Sequence, residues 1–263
     1  MSDAEAYFVR LGENAYRPTE LTSGAWNPAE QHISPMNGLI THAVERYIAE
    51  RGPDGMEIGR ISIDILGVLP LDPFEITVDV VRPGRTIELL EATVVCGGRP
   101  AVRARIWRSS VNDTEAVAGG AAEALPAPET VEPWTDLAEA WPGGYIQSLE
   151  LRPTAKPRPG RTTAWITSLA DLVEGEKVSD LARLTGLVDT ANGVAPRVSA
   201  KQWIYPNLDL TIHYFRRPSG QWLGLDTSVV FGPGGQGVTS TALHDADGHV
   251  GFAQQTLTIR PRS

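Results

Sequence analysis

Sulfur chemistry is nearly absent from this sequence. Of 263 residues only Cys96 is a cysteine, so no internal disulfide can form and no cysteine-based zinc site exists. Cys96 closes the apolar run ATVVC, the setting of a small buried residue rather than of a nucleophile. No apolar run approaches the ~20 residues that a membrane-spanning helix needs. The opening residues, MSDAEAYFVR, are acidic and lack the charged-then-apolar order of a signal peptide. The expectation is therefore a cytoplasmic chain that does not enter membranes. No long basic stretch occurs, and the net charge is −9. That balance argues against nucleic acid as the main partner, and it leaves any anionic substrate dependent on a local basic patch. No G-x-S-x-G motif is present, which removes support for an α/β serine hydrolase.

What is present is a helix-then-strands plan written twice. Ser34 suits a helix N-cap and Pro35 the first helical position. Met36, Leu39, Ile40, Ala43, Val44, Tyr47 and Ile48 then recur at helical spacing until Gly52 and Pro53 end the helix. Strand-like runs follow, RISIDIL, FEITVDVV, TIELLEATVV and AVRARIW, separated by the turn signals PLDP, RPGR and CGGRP. A stretch rich in Ala, Pro, Gly and Glu comes next and is expected to be a linker with one short helical piece. After the strand RTTAWITSL, a second helix is expected from an N-cap at Ser179. Its apolar stripe is Leu181, Leu184, Leu187, Val188 and Ala191, and Gly193 ends it. The runs LDLTIHYF, QWLGLDTSVVF, GVTSTALH and VGFAQQTLTI complete the second half. This approximate repeat of half the chain predicts an N-terminal domain over 1–120, a linker over 121–144 and a C-terminal domain over 145–263. A long helix followed by consecutive antiparallel strands is an α+β pattern, with the sheet buried on one side.

The order QHISPMNGLITHAVE, YPNLDLTIHYF, WLGLDTSVVFGPGGQGVTSTALHDADG and AQQTLTIRP resembles the acyl-CoA thioesterase II family over nearly the whole chain. The resemblance implies a double hotdog, in which two long helices are each wrapped by a curved antiparallel sheet. It further implies an Asp, a Thr-type hydroxyl and a Gln that position and activate a water against the thioester. Asp189 in LTGLVDTANG matches the Asp. The hydroxyl position reads Asn207, whose amide can orient a water but offers no hydroxyl. Gln255 matches the Gln. The implied substrate is an acyl-CoA, with no metal or redox cofactor. Exposed hotdog sheet edges favour a homo-oligomer.

The residues themselves leave alternatives open. Asp189 stands near the C-terminal end of its expected helix, where the dipole disfavours an anion and raises its pKa; the plain alternative is a solvated carboxylate beside Thr185 and Asn192. Period-two alternation turns Gln255 inward with Ala253, Leu257 and Ile259, and Gln254 outward; a buried amide of this kind can also be a purely structural hydrogen-bonder. Asn207, after a proline and before a strand, suits a turn.

GPGGQG (232–237) formally matches a dinucleotide fingerprint, but the strand-like segment after it makes a hairpin turn the better reading. HDADGH (244–249) is read as a turn led by Asp247-Gly248, because a calcium loop would need Glu where Thr256 stands. His42 is placed on the surface beside Glu45. His32, in WNPAEQH, is given a structural role, since Trp26 occupies the place of the Asp that a hotdog hydratase needs before Asn-Pro. The leading expectation is hydrolysis of an acyl-CoA to a free acid and CoA; a non-catalytic acyl-CoA-binding protein and a hotdog enoyl-CoA hydratase are the alternatives.

Overall fold

The computed structural model describes residues 5–134 and 141–262. The first half holds β1 (Ala6–Arg10), β2 (Ala15–Pro18), α1 (Ile33–Arg51), β3 (Met56–Ile65), β4 (Phe74–Arg82), β5 (Ile87–Cys96) and β6 (Arg99–Ser110). The second begins with α2 (Gly144–Gln147), β7 (Leu149–Pro153), β8 (Arg161–Ser168) and β9 (Asp171–Val173). It continues with α3 (Asp180–Thr185), a 3-10 turn at Val188–Thr190, α4 (Ala191–Val194) and β10 (Trp203–Ile204). The chain ends in β11 (Asp209–Tyr214), β12 (Leu223–Phe231), β13 (Gln236–Asp245), β14 (Gly248–Thr258) and β15 (Arg260–Pro261).

Helix α1 is the spine of the first half. Every residue from Ile33 to Val44 is buried, so this part of the helix is covered on all sides rather than along one stripe. Each of Met36, Leu39, Ile40 and Val44 is fully buried, a gain of about 1.5–3 kcal/mol per side chain over exposure. The helix begins two residues earlier than Ser34 predicts. His32 is the cap, its Nδ1 accepting from Ser34 N–H at 3.1 Å; Pro35 still falls in the first turn, where a missing N–H costs nothing. Gly52 ends the helix at φ 87°, a conformation open to glycine.

Two long helices are expected, and among the described residues there is one. The second helical stretch is α3, the 3-10 turn and α4, all short. Ser179 caps it as predicted, accepting from Ala182 N–H at 3.1 Å. It breaks where Gly186, Asp189, Asn192 and Gly193 crowd poor helix formers together. It also breaks where it crosses α1: a Cβ on Gly38 would stand 2.8 Å from Ala182 O and 3.0 Å from Gly186 Cα. Glycine at both positions lets the two backbones touch.

The sheets of the two halves are also not separate. Among the described residues thirteen strands form one sheet, in the order β7-β8-β12-β13-β14-β11-β3-β6-β5-β4-β2-β1-β9. The halves join at β11 and β3, antiparallel, with Ile212 opposite Ile61. β8 runs into β9 across two residues, and β9 pairs in parallel with β1. The first and last members of the sheet order are thereby drawn together around the helices. Among its described residues, the stretch after β6 holds 3-10 turns at Glu115–Val117 and Pro128–Thr130; 135–140, part of the segment where a helical piece is expected, lies outside the described residues. GPGGQG is a hairpin between β12 and β13, with Gly235 at φ 84°. HDADGH is the next hairpin, where Asp247 N–H bonds Asp245 Oδ1 at 3.0 Å. Cys96 is buried and free, and burial pushes its thiol pKa up.

Candidate active site

Three elements converge on one carboxylate. Asp189 sits in the 3-10 turn between α3 and α4 and is 5% exposed. Gln255 is on β14, whose alternation buries Ala253, Gln255 and Leu257 and exposes Gln254. Asn207 precedes β11 and is held against β14 by a bridge to Leu257. The Asn207 amide donates to Asp189 Oδ1 at 2.6 Å and to Asp209 O at 3.0 Å. The Gln255 amide donates to the same Oδ1 at 2.8 Å. The structure therefore brings together all three residues picked from the sequence. Both amides load one oxygen, and no described residue donates to Oδ2.

Burial rather than the helix dipole governs Asp189. Desolvation pushes its pKa up to about 6, and the two amide donors pull it back down. The solvated-carboxylate alternative does not hold.

The turn that carries Asp189 is pinned from both halves. Tyr145 OH is 2.6 Å from Thr190 Oγ1 and donates to Gly186 O at 3.3 Å. Ser34 Oγ, on α1, reaches Thr190 Oγ1 at 3.4 Å. The His32 ring lies against Tyr145, centroids 4.4 Å apart. With Nδ1 committed to the helix cap and burial pushing its pKa down to about 3, His32 is a poor proton acceptor. Its role is structural, as expected. His42 is not on the surface: it is 6% exposed, with Nε2 at 3.0 Å from Glu176 Oε2. The second half supplies this partner, which nothing near His42 in sequence announces.

Asp189 and Asn207 line a cleft of about 350 Å³ between the halves. Its first-half wall includes Trp26, His32 and Leu69; its second-half wall includes Pro206 and Leu208. Behind it lies a small chamber of about 30 Å³, also bordered by Asp189 and Asn207 and by Asn192 and Trp141. That is room for about one water. Asn192 donates to Tyr205 O at 2.9 Å, while its Oδ1 is buried without a partner. Gln255 Oε1 is in the same condition. From the sequence Asn192 is expected only as a polar neighbour; its i+3 spacing from Asp189 is the available signal. A larger hollow of about 460 Å³ on the outer sheet face holds none of these groups, and its Arg161 and Asp226 bond each other at 2.8 Å.

The model of the acyl-CoA thioesterase C-terminal domain matches residues 122–259, and that of the N-terminal domain matches residues 22–109. The chain belongs to the acyl-CoA thioesterase family. It is thus a thioester hydrolase by family. No curated protein matches the chain in sequence. Among solved structures, a hotdog-fold protein from Alicyclobacillus acidocaldarius superposes with a TM-score of 0.74 at 15% identity, over 99% of this chain and 98% of that one. A tesB protein from Mycobacterium avium subs paratuberculosis gives 0.68 at 18% identity, over 97% and 96%. An acyl-CoA thioesterase II from Mycobacterium marinum gives 0.65 at 15% identity, again over 97% and 96%. At such identities these likenesses establish the hotdog fold. Among the described residues, no helix is long and apolar enough to cross a membrane, and no cluster of His, Cys, Asp and Glu side chains is arranged to hold a metal ion.

Proposed function

We propose that the chain hydrolyses acyl-CoA to a carboxylic acid and CoA at Asp189, with Gln255 and Asn207 orienting it. The observation that carries this reading is the pair of amides on Asp189 Oδ1. They fix the carboxylate, moderate its raised pKa and leave Oδ2 without a described donor, on a residue that borders a chamber with room for about one water. A water there donates one hydrogen to Oδ2 and the other to Asn192 Oδ1, which turns its lone pair toward the cleft. As the water oxygen attacks the thioester carbonyl carbon, Asp189 takes its proton. The tetrahedral intermediate then expels the CoA thiolate, which receives that proton. A base with a pKa near 6 is ionised at neutral pH and still basic enough to assist. Asn207 works here through its N–H, so the absence of a hydroxyl at this position does not remove the orienting contact.

Supporting proposals follow from the same arrangement. Residues 1–120 and 145–263 act as two hotdog units joined by 121–144, and the cleft lies between them. The protein works in the cytoplasm as a homo-oligomer.

The test is thiol release from a panel of acyl-CoAs. Wild type should turn over, with kcat/KM rising with pH through a limb near 6 as Asp189 ionises. Asp189→Asn should lose about a thousandfold, on the order of 4 kcal/mol. Gln255→Leu should lose about ten- to a hundredfold. It should also move the limb upward, because it removes a donor that lowers the Asp189 pKa. Acyl-CoA binding without turnover at any chain length would sink the hydrolytic role of this site and favour a binding protein.

A further inference from the structure

The cleft holds a reacting carbonyl well but offers nothing to the phosphates of a CoA ester. Its only ionisable lining residues are Glu30, His32 and Asp189. On a chain of net charge −9, a polyanionic substrate needs local positive charge to stay.

That charge lies along the chain just before the cleft residue Pro206. There β10 pairs with β15 as a separate two-stranded ribbon, Trp203 opposite Pro261 and Ile204 opposite Arg260. Lys201, Arg260 and Arg262 are on or beside this ribbon, all exposed. Arg197 stands just before it and packs on Gly160, whose N–H bonds Pro196 O at 3.1 Å. None of these four cations is in an ion pair with a described residue. By contrast, Arg108, Arg152, Arg161, Arg216 and Arg217 are each matched by a carboxylate. The sequence also keeps acid away: no Asp or Glu occurs from 190 to 208 or from 248 to 262. The register sets Arg260 and Arg262 on the ribbon face of Ile204, and puts Trp203 on the other face with Pro261. Ile204, the cross-strand partner of Arg260, stands three residues before Asn207, so at ~3.3–3.6 Å per residue the two lie within about 11 Å of each other. A phosphopantetheine arm can cover such a span.

We propose that the β10–β15 ribbon docks the phosphorylated nucleotide end of the CoA ester. Lys201, Arg260 and Arg262 take the phosphates, and the pantetheine arm runs over Pro206 to the carboxylate. This rests on the thioesterase reading above, and the test separates the two.

Hydrolysis of an acyl-CoA is compared with that of the same acyl group on N-acetylcysteamine, which has no nucleotide. The triple variant Lys201→Ala, Arg260→Ala, Arg262→Ala should lower the ratio of the two kcat/KM values at least thirtyfold, chiefly through KM for the acyl-CoA. Restoring charge with Lys201→Arg, Arg260→Lys, Arg262→Lys should recover most of the ratio. Adenosine 3′,5′-bisphosphate should inhibit acyl-CoA hydrolysis competitively in wild type and at least thirtyfold more weakly in the alanine variant. An unchanged ratio in the alanine variant overturns the ribbon and leaves hydrolysis standing. If wild type hydrolyses neither ester, the catalytic reading fails and calorimetry with CoA decides the ribbon alone. Binding lost in the triple variant supports it; no binding, or equal binding by both proteins, overturns it.

Discussion

The two halves meet at a pair of glycines, and what stands three residues beyond each of them differs. Gly38 on α1 and Gly186 after α3 bring the backbones into contact. Three residues past Gly38 is Thr41; three past Gly186 is Asp189. The Thr41 hydroxyl turns back to its own helix, donating to Asn37 O at 2.9 Å. The Asp189 carboxylate instead receives amides from two other elements. The strands repeat the contrast. On β6 the inward residues Ala101, Val102, Ala104 and Ile106 are apolar, and the next one, Arg108, is matched by the buried Glu88 at 2.7 Å, whereas β14 offers Gln255. An unbroken helix under a strand whose one inward cation is already paired makes a scaffold. A broken helix under a strand with one inward amide makes a place where a buried acid can exist without a cation beside it.

The sharpest way to break this comparison is to give the first half its own acid. Thr41→Asp would bury a carboxylate with no donor strand above it. It should lose about 3–5 kcal/mol, as for an uncompensated buried charge. The loss should be larger at pH 8 than at pH 5, and no thioester turnover should be gained. Urea unfolding and thiol release check both points; a stable variant with added activity would show the halves to be equivalent.

Removing the acid from the second half should do the reverse. The folded pKa of Asp189 stands above its ordinary value, 3.8 raised to about 6. The group is neutral in both folded and unfolded chains below pH 4 and charged in both above about 6. Its ionisation therefore removes folding stability as pH rises between those values, by about 3 kcal/mol in all. Asp189→Asn should lack that loss, so its stability relative to wild type should grow from pH 4 to pH 7. Other carboxylates titrate alike in both proteins and cancel. A pH-independent difference would refute the buried-acid description.

The smallest effect concerns the crossing itself. Gly38→Ala drives a Cβ to 2.8 Å from Ala182 O and 3.0 Å from Gly186 Cα. The backbone must give, at about 1–3 kcal/mol, and turnover should fall because the turn holding Asp189 follows directly. Gly193→Ala is the matched control, since a Cβ there meets nothing within 4 Å. Equal melting temperatures for the two variants would show that the crossing is not tight.

Local pattern carried much of this. The repeat of helix and strands, the caps at Gly52 and Ser179, the two hairpins and the inward face of β14 all depend on neighbours a few residues apart. Each is visible as a period or a turn residue. Asp189, Asn207 and Gln255 were legible because a family resemblance and strand alternation selected them together. The misreadings are long-range but for one, the helix cap. His42 is buried by Glu176, 134 residues away. His32 displaces Ser34 as the helix cap. The second helix breaks at its crossing with α1. The two sheets fuse at β11 and β3.

The sequence by itself thus determined the α+β class, the order of elements and the identity of the three converging side chains, because periodicity and turn chemistry are local. Tertiary structure alone decided that one helix would run whole and the other break, and that Asp189 would be stripped of water and given two donors on a single oxygen. It also decided that the unpaired cations of two distant segments would gather on one ribbon. Burial, desolvation and charge proximity depend on which remote residues arrive at the same point, and no spacing along the chain records that.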